Sequence, residues 1–224
     1  MDNDFIYWRH PTPPGIKVEE VSGGYGNASV WREMAMQIYC ENGRDGYRDI
    51  GHFSNGAPFL YSECSRISVT HTSGLLAVAT LPRTPEADLG VFSERTALGI
   101  DAERLDRRQV VRLRPRFLSE EELALVDAED VAANITAWTA KEALYKAALT
   151  PGLDFRSQLR IIRLPRPSED ITDPGAFGKA EIIFPSGDKA EMLLYSYLSE
   201  GCCVTLAYSP KTATWKKAAP TDKK

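Results

Sequence analysis

The chain has 224 residues, of which 43% are hydrophobic and 26% are charged, and its formal net charge is -4 at pH 7. This length and apolar content suffice for one large domain or two small ones, and they exclude a largely disordered chain. The negative charge argues against a general nucleic-acid binder. No apolar run reaches about 18 residues and no apolar leader is present, so neither membrane insertion nor secretion is indicated.

The four cysteines do not follow the paired spacing of a zinc site; they are Cys40, Cys64, Cys202 and Cys203. Reduced thiols in a cytoplasmic protein are the simplest interpretation of this pattern.

The first part of the chain predicts a helix packed on hairpins. A helical period of apolar residues runs over 29–41, and short β-like runs follow between 47 and 81, with a turn at Asn55-Gly56. The polar, proline-containing loop 82–90 then predicts a junction, so residues 1–90 form an N-terminal α+β half.

The second part predicts the same order of elements. A strand over 98–103 precedes Ser119 and Glu122, which have the spacing of a capping box, and a helix is predicted from Val131 to Thr150. Four β-like runs follow, at 159–164, 180–184, 190–198 and 202–208. We therefore expect a C-terminal α+β half over 91–210, and a flexible tail over 211–224, which carries five lysines.

Two carboxylates, Asp101 and Glu103, stand two residues apart in the predicted strand, so both would emerge on one face. Adjacent carboxylates repel unless a cation lies between them, and a hard ion such as Mg²⁺ suits oxygen ligands. The alternative is a solvated strand end with Arg104 nearby.

The predicted helix carries a second acidic motif. Trp138, Glu142 and Lys146 follow one stripe at i, i+4 and i+8, and Lys141 lies on a neighbouring stripe. Three carboxylates, those of Asp101, Glu103 and Glu142, would then converge on one divalent metal. The alternative is an ordinary amphipathic helix with a surface ion pair between Glu142 and Lys146.

Taken together, the motifs resemble the 4′-phosphopantetheinyl transferases, specifically the longer surfactin-type group. The resemblance covers roughly residues 56–152 and is carried by four segments in order, 67–72 (ISVTHT), 98–103 (LGIDAE), 116–122 (RFLSEEE) and 138–146 (WTAKEALYK).

The resemblance implies two similar helix-plus-antiparallel-sheet halves in one chain, able to work as a monomer, with coenzyme A bound in the cleft between them. The implied reaction transfers 4′-phosphopantetheine from coenzyme A to a serine of an apo acyl, peptidyl or aryl carrier protein and releases adenosine 3′,5′-bisphosphate.

The resemblance also implies roles for single residues. Asp101, Glu103 and Glu142 would hold Mg²⁺, with Mn²⁺ an alternative, and Glu142 would accept the proton of the incoming serine. Lys146 would contact the pyrophosphate, a role that we favour for it over Lys141, which is also expected at coenzyme A. Thr70 and His71 would contact a phosphate of coenzyme A.

One position departs from the family pattern. Ala57 stands in Gly56-Ala57-Pro58, where the family often has lysine directed at coenzyme A, and alanine cannot make that contact. An arginine elsewhere could instead meet the 3′-phosphate of coenzyme A, and the candidates, among which the sequence does not choose, are Arg32, Arg44, Arg48 and Arg66.

A basic segment, defined by Arg104, Arg107, Arg108, Arg112, Arg114 and Arg116, contains Asp106 as its one acidic residue. Because carrier proteins are generally acidic around the modified serine, we expect this segment to help dock the partner. The alternative is a solvated basic loop.

Two other functions remain open from the sequence. One is a non-catalytic module that binds coenzyme A or a carrier protein, against which the retained acidic set argues. The other is an unrelated metal-dependent enzyme that acts on a nucleotide pyrophosphate.

Overall fold

The computed structural model describes residues 6–9, 13, 15–22, 50–60, 63–81 and 90–212. These residues form eleven β-strands, β1(Ile6–Arg9), β2(Lys17–Ser22), β3(Ile50–His52), β4(Pro58–Leu60), β5(Glu63–Thr72), β6(Leu75–Thr80), β7(Leu98–Arg104), β8(Leu159–Arg163), β9(Gly178–Ile183), β10(Lys189–Ser199) and β11(Cys202–Tyr208). Three α-helices are described, α1(Gln109–Phe117), α2(Glu120–Leu125) and α3(Val131–Ala148). The helix predicted over 29–41 and the junction residues 82–89 lie outside the described residues.

The strands form two antiparallel sheets that follow the two parts of the chain. The first sheet has the order β1-β2-β6-β5-β4-β3, and the second has the order β7-β11-β10-β9-β8. The four strands predicted after the long helix are all present, with ends shifted by at most two residues. The α+β class, with helices and two antiparallel sheets, is confirmed.

The second sheet is buried on both faces because two separate apolar clusters contact it. One face packs on the helices through residues such as Ile135, Leu144 and Leu194. The other face packs on the first sheet, where Val18 and Leu75 meet Ile100. The order of layers is therefore first sheet, second sheet, helices.

Strand β7 lies at the edge of the second sheet, and side-chain hydroxyls from β5 close that edge. The N–H of Ile100 donates to Ser68 Oγ at 3.0 Å, and the N–H of Ala102 donates to Thr70 Oγ1 at 3.0 Å. These side-chain hydrogen bonds satisfy N–H groups of β7 that a neighbouring strand would otherwise pair with. Strand β5 therefore lies beside β7 without joining the second sheet.

Helix α3 lies unusually close to β7 at Gly99. A Cβ atom at Gly99 would lie 1.9 Å from the carbonyl oxygen of Ala143. The helix presents fully buried alanines to the sheet, including Ala140 and Ala147. Small residues on both elements therefore allow this approach, which brings the polar residues of α3 next to those of β7.

The basic segment contains a helix, α1, which we did not predict. Val110 and Phe117, seven residues apart, are buried and attach the helix to the core. The five arginines between 107 and 116 obscured this sparse apolar stripe. The capping box of α2 is confirmed, since Ser119 Oγ accepts from the N–H of Glu122 and the Glu122 carboxylate accepts from the N–H of Ser119.

The first two residues of the expected tail contact the body of the protein. Thr212 is buried, and its hydroxyl donates to the carbonyl oxygen of Glu94 at 2.9 Å; Lys211 forms an ion pair with the Glu94 carboxylate. Residues 213–224 lie outside the described residues. None of the helices described is both long and apolar enough to cross a membrane.

Candidate active site

Asp101 is the centre of the candidate site, and it lies on β7 facing α3. It is 9% exposed, and its Oδ1 accepts from Lys146 Nζ at 2.8 Å and from Thr70 Oγ1 at 3.1 Å. Burial raises the pKa of the Asp101 carboxyl, while the Lys146 charge and both hydrogen bonds oppose that rise. Burial at this position therefore favours a neighbouring cation.

Lys146 joins three parts of the molecule through its ammonium group. Besides Asp101, Nζ donates to the carbonyl oxygen of Ile100 at 2.9 Å and to that of Val69 at 3.3 Å. Its side chain remains 29% exposed. The ion pair described for Lys146 is thus with Asp101 and not with Glu142, and the amine stays within reach of solvent and of a ligand.

Glu103 lies two residues along the same strand and is 7% exposed. One carboxylate oxygen accepts from the N–H of Arg104 at 3.0 Å, and the other pairs with Arg107. Sequence reasoning assigned Arg107 to partner docking and missed this contact. Glu103 and Arg107 are four residues apart, a spacing that predicts an ion pair only within a helix. Here Glu103 lies in β7 and Arg107 lies before α1, so the spacing did not predict the contact.

Glu142 is the third carboxylate, placed by α3 above β7. Burial raises the pKa of Glu142, and the negative charges of Asp101 and Glu103 raise it further. The positive charges of Lys146 and Arg107 lower the pKa and so oppose this rise. The three carboxylates are therefore close enough to repel one another. That β7 and α3 bring all three carboxylates onto one metal ion remains a prediction.

The donor set suits a hard divalent cation, since it consists of three carboxylates whose mutual repulsion such an ion would relieve. Within the described part of the chain, no group of three or more acidic, histidine or cysteine side chains is arranged to hold a metal. Asp101 and Glu103 instead point oxygens at Lys146 and Arg107. Binding a metal here would require these ion pairs to rearrange.

Thr70 and His71 lie at the end of β5, and they face opposite directions because they are adjacent in a strand. Thr70 is 4% exposed and contacts Asp101 as described above. His71 is exposed, close to the β5–β6 turn. The structure therefore brings Thr70 into the cluster directly and places His71 on the surface beside it.

Lys141 is not part of this cluster. It is fully buried on another face of α3, where Nζ donates to the Glu122 carboxylate at 2.6 and 2.7 Å and to the carbonyl oxygens of Phe155, at 2.7 Å, and Leu159. Burial lowers the pKa of Lys141, and the charge of Glu122 opposes that change. Its surroundings indicate a structural anchor for α2, α3 and β8.

The turn around Ala57 contacts the C-terminal end of α3. The Asn55 amide donates to the carbonyl oxygens of Leu149 at 2.8 Å and Gly90 at 2.9 Å, while its oxygen accepts from the N–H of Ala57. Of the arginines considered as replacements for the missing lysine, Arg66 is buried and donates to the carbonyl oxygen of Lys146; Arg32, Arg44 and Arg48 lie outside the described residues.

The six arginines of the basic segment divide into two groups. Arg104 pairs with Asp106, Arg107 pairs with Glu103, and Arg114 is buried and donates to the carbonyl oxygens of Leu123 and Val126. The other three are exposed and, within the described residues, make no ion pair; they are Arg108, Arg112 and Arg116. Their i, i+4, i+8 spacing places them along one side of α1, which we call the arginine face.

Residues 97–186 match the family model described as the 4′-phosphopantetheinyl transferase superfamily. No curated protein matches the chain. The matched segment contains Asp101, Glu103, Glu142 and Lys146, whereas Thr70 and His71 precede it. The match thus supports a phosphopantetheinyl transferase superfamily domain over the part of the chain that carries the three carboxylates.

Proposed function

We propose that this protein is a surfactin-type 4′-phosphopantetheinyl transferase, which moves phosphopantetheine from coenzyme A to a serine hydroxyl of an apo carrier protein. The observation that carries the proposal is the ion pair between Asp101 on β7 and Lys146 on α3, inside the segment that matches the superfamily. In the reaction, the serine oxygen bonds to the phosphorus of the phosphopantetheine group as the bond to adenosine 3′,5′-bisphosphate breaks.

Asp101, Glu103 and Glu142 would hold Mg²⁺, which when bound neutralises charge on the pyrophosphate. The carboxylates come from two elements that are packed closely at Gly99, so their separation is set by backbone packing and not by flexible loops. Asp101 and Glu103 are paired with Lys146 and Arg107, and Mg²⁺ would take the place of these cations as their partner.

Lys146 would supply positive charge to the pyrophosphate. Two carbonyl oxygens orient its ammonium independently of Asp101, which would bind Mg²⁺ instead, and part of the side chain is open to solvent. A cation that is already oriented stabilises charge developing on the leaving group without reorganising during the reaction.

Glu142 would accept the proton of the carrier serine. Burial and the nearby Asp101 raise its pKa above the ordinary value for a glutamate. A carboxylate with a raised pKa is a stronger base than an exposed one, which suits proton removal from a hydroxyl near neutral pH.

The arginine face of α1 would contact the carrier protein. It begins five residues after Glu103, so an acidic protein bound there lies beside the site. Successive arginines are about 6 Å apart along the helix axis, which matches the spacing of carboxylates on one face of a partner helix. Charge complementarity of this kind speeds encounter and fixes orientation.

The test is direct. The protein is incubated with coenzyme A, Mg²⁺ and a panel of apo carrier proteins, and each carrier is weighed by mass spectrometry. We expect one or more carriers to gain phosphopantetheine, and a carrier whose acceptor serine is replaced by alanine to gain nothing. Absence of the added mass on every carrier would contradict the proposed function.

Two further experiments test the metal and the general base separately. Chelation by EDTA should abolish transfer and added Mg²⁺ should restore it, which tests the metal. A Glu142→Gln variant should fold normally and transfer slowly, which tests the base; a native rate for this variant would remove only that assignment.

A further inference from the structure

Arg66 is a buried cation that the proposed chemistry does not use. It is 3% exposed, and its Nη2 donates to the carbonyl oxygen of Lys146 at 3.2 Å. Its Nε and Nη1 have no hydrogen-bond partner within the described residues. A guanidinium has five N–H donors, so most of its hydrogen-bonding capacity is unused.

This arrangement is unfavourable for folding. Removing a charge and its unpaired N–H groups from water costs free energy that one hydrogen bond does not recover. Burial also lowers the pKa of Arg66 to about 10. An apolar side chain of similar length would fill the same space at less cost, and groups that are unfavourable for stability are concentrated at functional sites.

The guanidinium ends at the last turn of α3. The final carbonyl groups of a helix have no partner within the helix and form the negative end of its dipole, where a cation is favourable. Arg66 binds one such carbonyl, that of Lys146, and Asn55 binds the carbonyl of Leu149. Both donors belong to the first part of the chain, so that part holds the end of the helix that bears Lys146.

The same strand also holds Asp101. Arg66, Ser68 and Thr70 alternate along β5 and so lie on one face. Ser68 and Thr70 accept the N–H groups on either side of Asp101, and Thr70 donates to its carboxylate. Strand β5 therefore binds the backbone at two places. Arg66 holds the carbonyl of Lys146, and Ser68 and Thr70 hold the N–H groups on either side of Asp101.

We propose that Arg66 is a positioning residue: by binding the carbonyl oxygen of Lys146, it sets the place of the Lys146 ammonium relative to Asp101. This inference rests on the proposed function, because it concerns how Lys146 is presented to the pyrophosphate. It assigns Arg66 no contact with coenzyme A, although the residue was a sequence-based candidate for the 3′-phosphate.

The experiment compares Arg66→Met and Arg66→Lys with Arg114→Met in the full chain. Arg114 is a matched control, because it too is buried, donates to helix-end carbonyls and has one unpaired nitrogen, but it caps α2 away from the site. For each protein we would measure the thermal midpoint, kcat, and KM for coenzyme A and for 3′-dephospho-coenzyme A.

For Arg66→Met we expect an unchanged or higher thermal midpoint together with a kcat about ten- to one hundredfold lower, since a small misplacement of a catalytic group has effects of that size. Arg66→Lys, which keeps a donor, should recover a large part of kcat. Arg114 makes two hydrogen bonds to carbonyl oxygens where Arg66 makes one, so Arg114→Met should show the opposite pattern, a lower midpoint with kcat within about twofold of the native value.

Three results would overturn the proposal. One is an unchanged kcat for Arg66→Met. Another is a fall in midpoint and kcat together, as a purely structural residue would give. The third is an unchanged kcat with loss of the preference for coenzyme A over its 3′-dephospho form, which would mark Arg66 as a phosphate ligand.

A local measurement keeps this inference distinct from the proposed function. Amide hydrogen exchange should speed up in the last turn of α3 in Arg66→Met and return towards the native rate in Arg66→Lys. If the native protein modifies no carrier, the proposed function fails, and exchange alone then decides whether Arg66 holds the Lys146 turn. Unchanged exchange in Arg66→Met would overturn the positioning role.

Discussion

Helix α3 carries two lysines five residues apart that have the same kinds of hydrogen-bond partner but differ in exposure to solvent. Lys141 is fully buried and is surrounded by Glu122 and two carbonyl oxygens. Lys146 also has a carboxylate and two carbonyl partners, but its side chain is 29% exposed beside Glu142. The first joins helices to sheet, whereas the second is the lysine that we propose acts on the pyrophosphate.

The difference teaches that partner type alone does not separate a structural lysine from one proposed to act in the reaction. Both amines have an acidic partner and two carbonyls. What differs is access to water, since Lys141 is fully buried and the side chain of Lys146 is 29% exposed. Substitutions that separate stability from transfer can therefore test the comparison.

The largest effect is expected for Lys141→Met. It leaves the Glu122 carboxylate buried without its cation, and breaking a buried pair in this way costs about 3–5 kcal/mol of unfolding free energy. Denaturant unfolding measures the loss. The matched control is Lys189→Met, which removes an exposed pair with Glu181 and should change stability by less than about 1 kcal/mol.

Lys146→Met is expected to act mainly on the reaction. Loss of one oriented charge at a transition state lowers kcat by about 10²–10³-fold. The loss of stability should be clearly smaller than for Lys141→Met because the amine is partly hydrated. Steady-state transfer assays and denaturant unfolding give both numbers, and equal loss of stability in the two lysine variants would remove the distinction between them.

Gly99→Ala is expected to affect both stability and transfer. The added Cβ would meet the carbonyl of Ala143, so α3 must move away from β7, and overpacking of this kind costs about 1–3 kcal/mol. Transfer should fall because Glu142 and Lys146 move with the helix. Gly201→Ala is the control, since its φ of 73° brings backbone strain alone, in a turn where a Cβ has open space.

The smallest effect is expected at the arginine face. Replacing Arg108, Arg112 and Arg116 by glutamine should raise KM for the carrier protein several-fold and leave KM for coenzyme A unchanged. The control replaces three other exposed arginines, Arg156, Arg160 and Arg163 on and before β8, by glutamine. This control changes the net charge by the same amount and should leave KM for the carrier protein unchanged. Equal kinetics in both triples would remove the docking role, and so would a KM for the carrier that does not depend on salt.

The carboxylate pair and the long helix could be predicted because strand alternation and helical spacing are local properties. Asp101 and Glu103 share a strand, and Glu142 and Lys146 share a helix, so their relative directions follow from the sequence. Their meeting depends on how α3 lies on β7. That depends on Gly99 and the buried alanines, which carry no chemical signal.

The roles of Lys141, Arg107 and Arg66 could not be predicted because their partners are distant in sequence or in another element. Lys141 meets Glu122 nineteen residues away, and Arg66 meets Lys146 eighty residues away. Charge patterns also hid α1, since the sequence predicted no helix in the basic segment and the structure shows one held by Val110 and Phe117.

The hydroxyls of Ser68 and Thr70, which cover the edge of β7, determine how a truncated protein should behave. The segment that matches the superfamily, 97–186, omits Ser68 and Thr70 as well as β10 and β11. Even a longer fragment, 90–212, would expose the N–H groups of Ile100 and Ala102 and the apolar face that now meets the first sheet. An open strand edge beside an apolar surface recruits another chain. We therefore expect the excised fragment to self-associate, so that the first part of the chain serves as a built-in partner for the second.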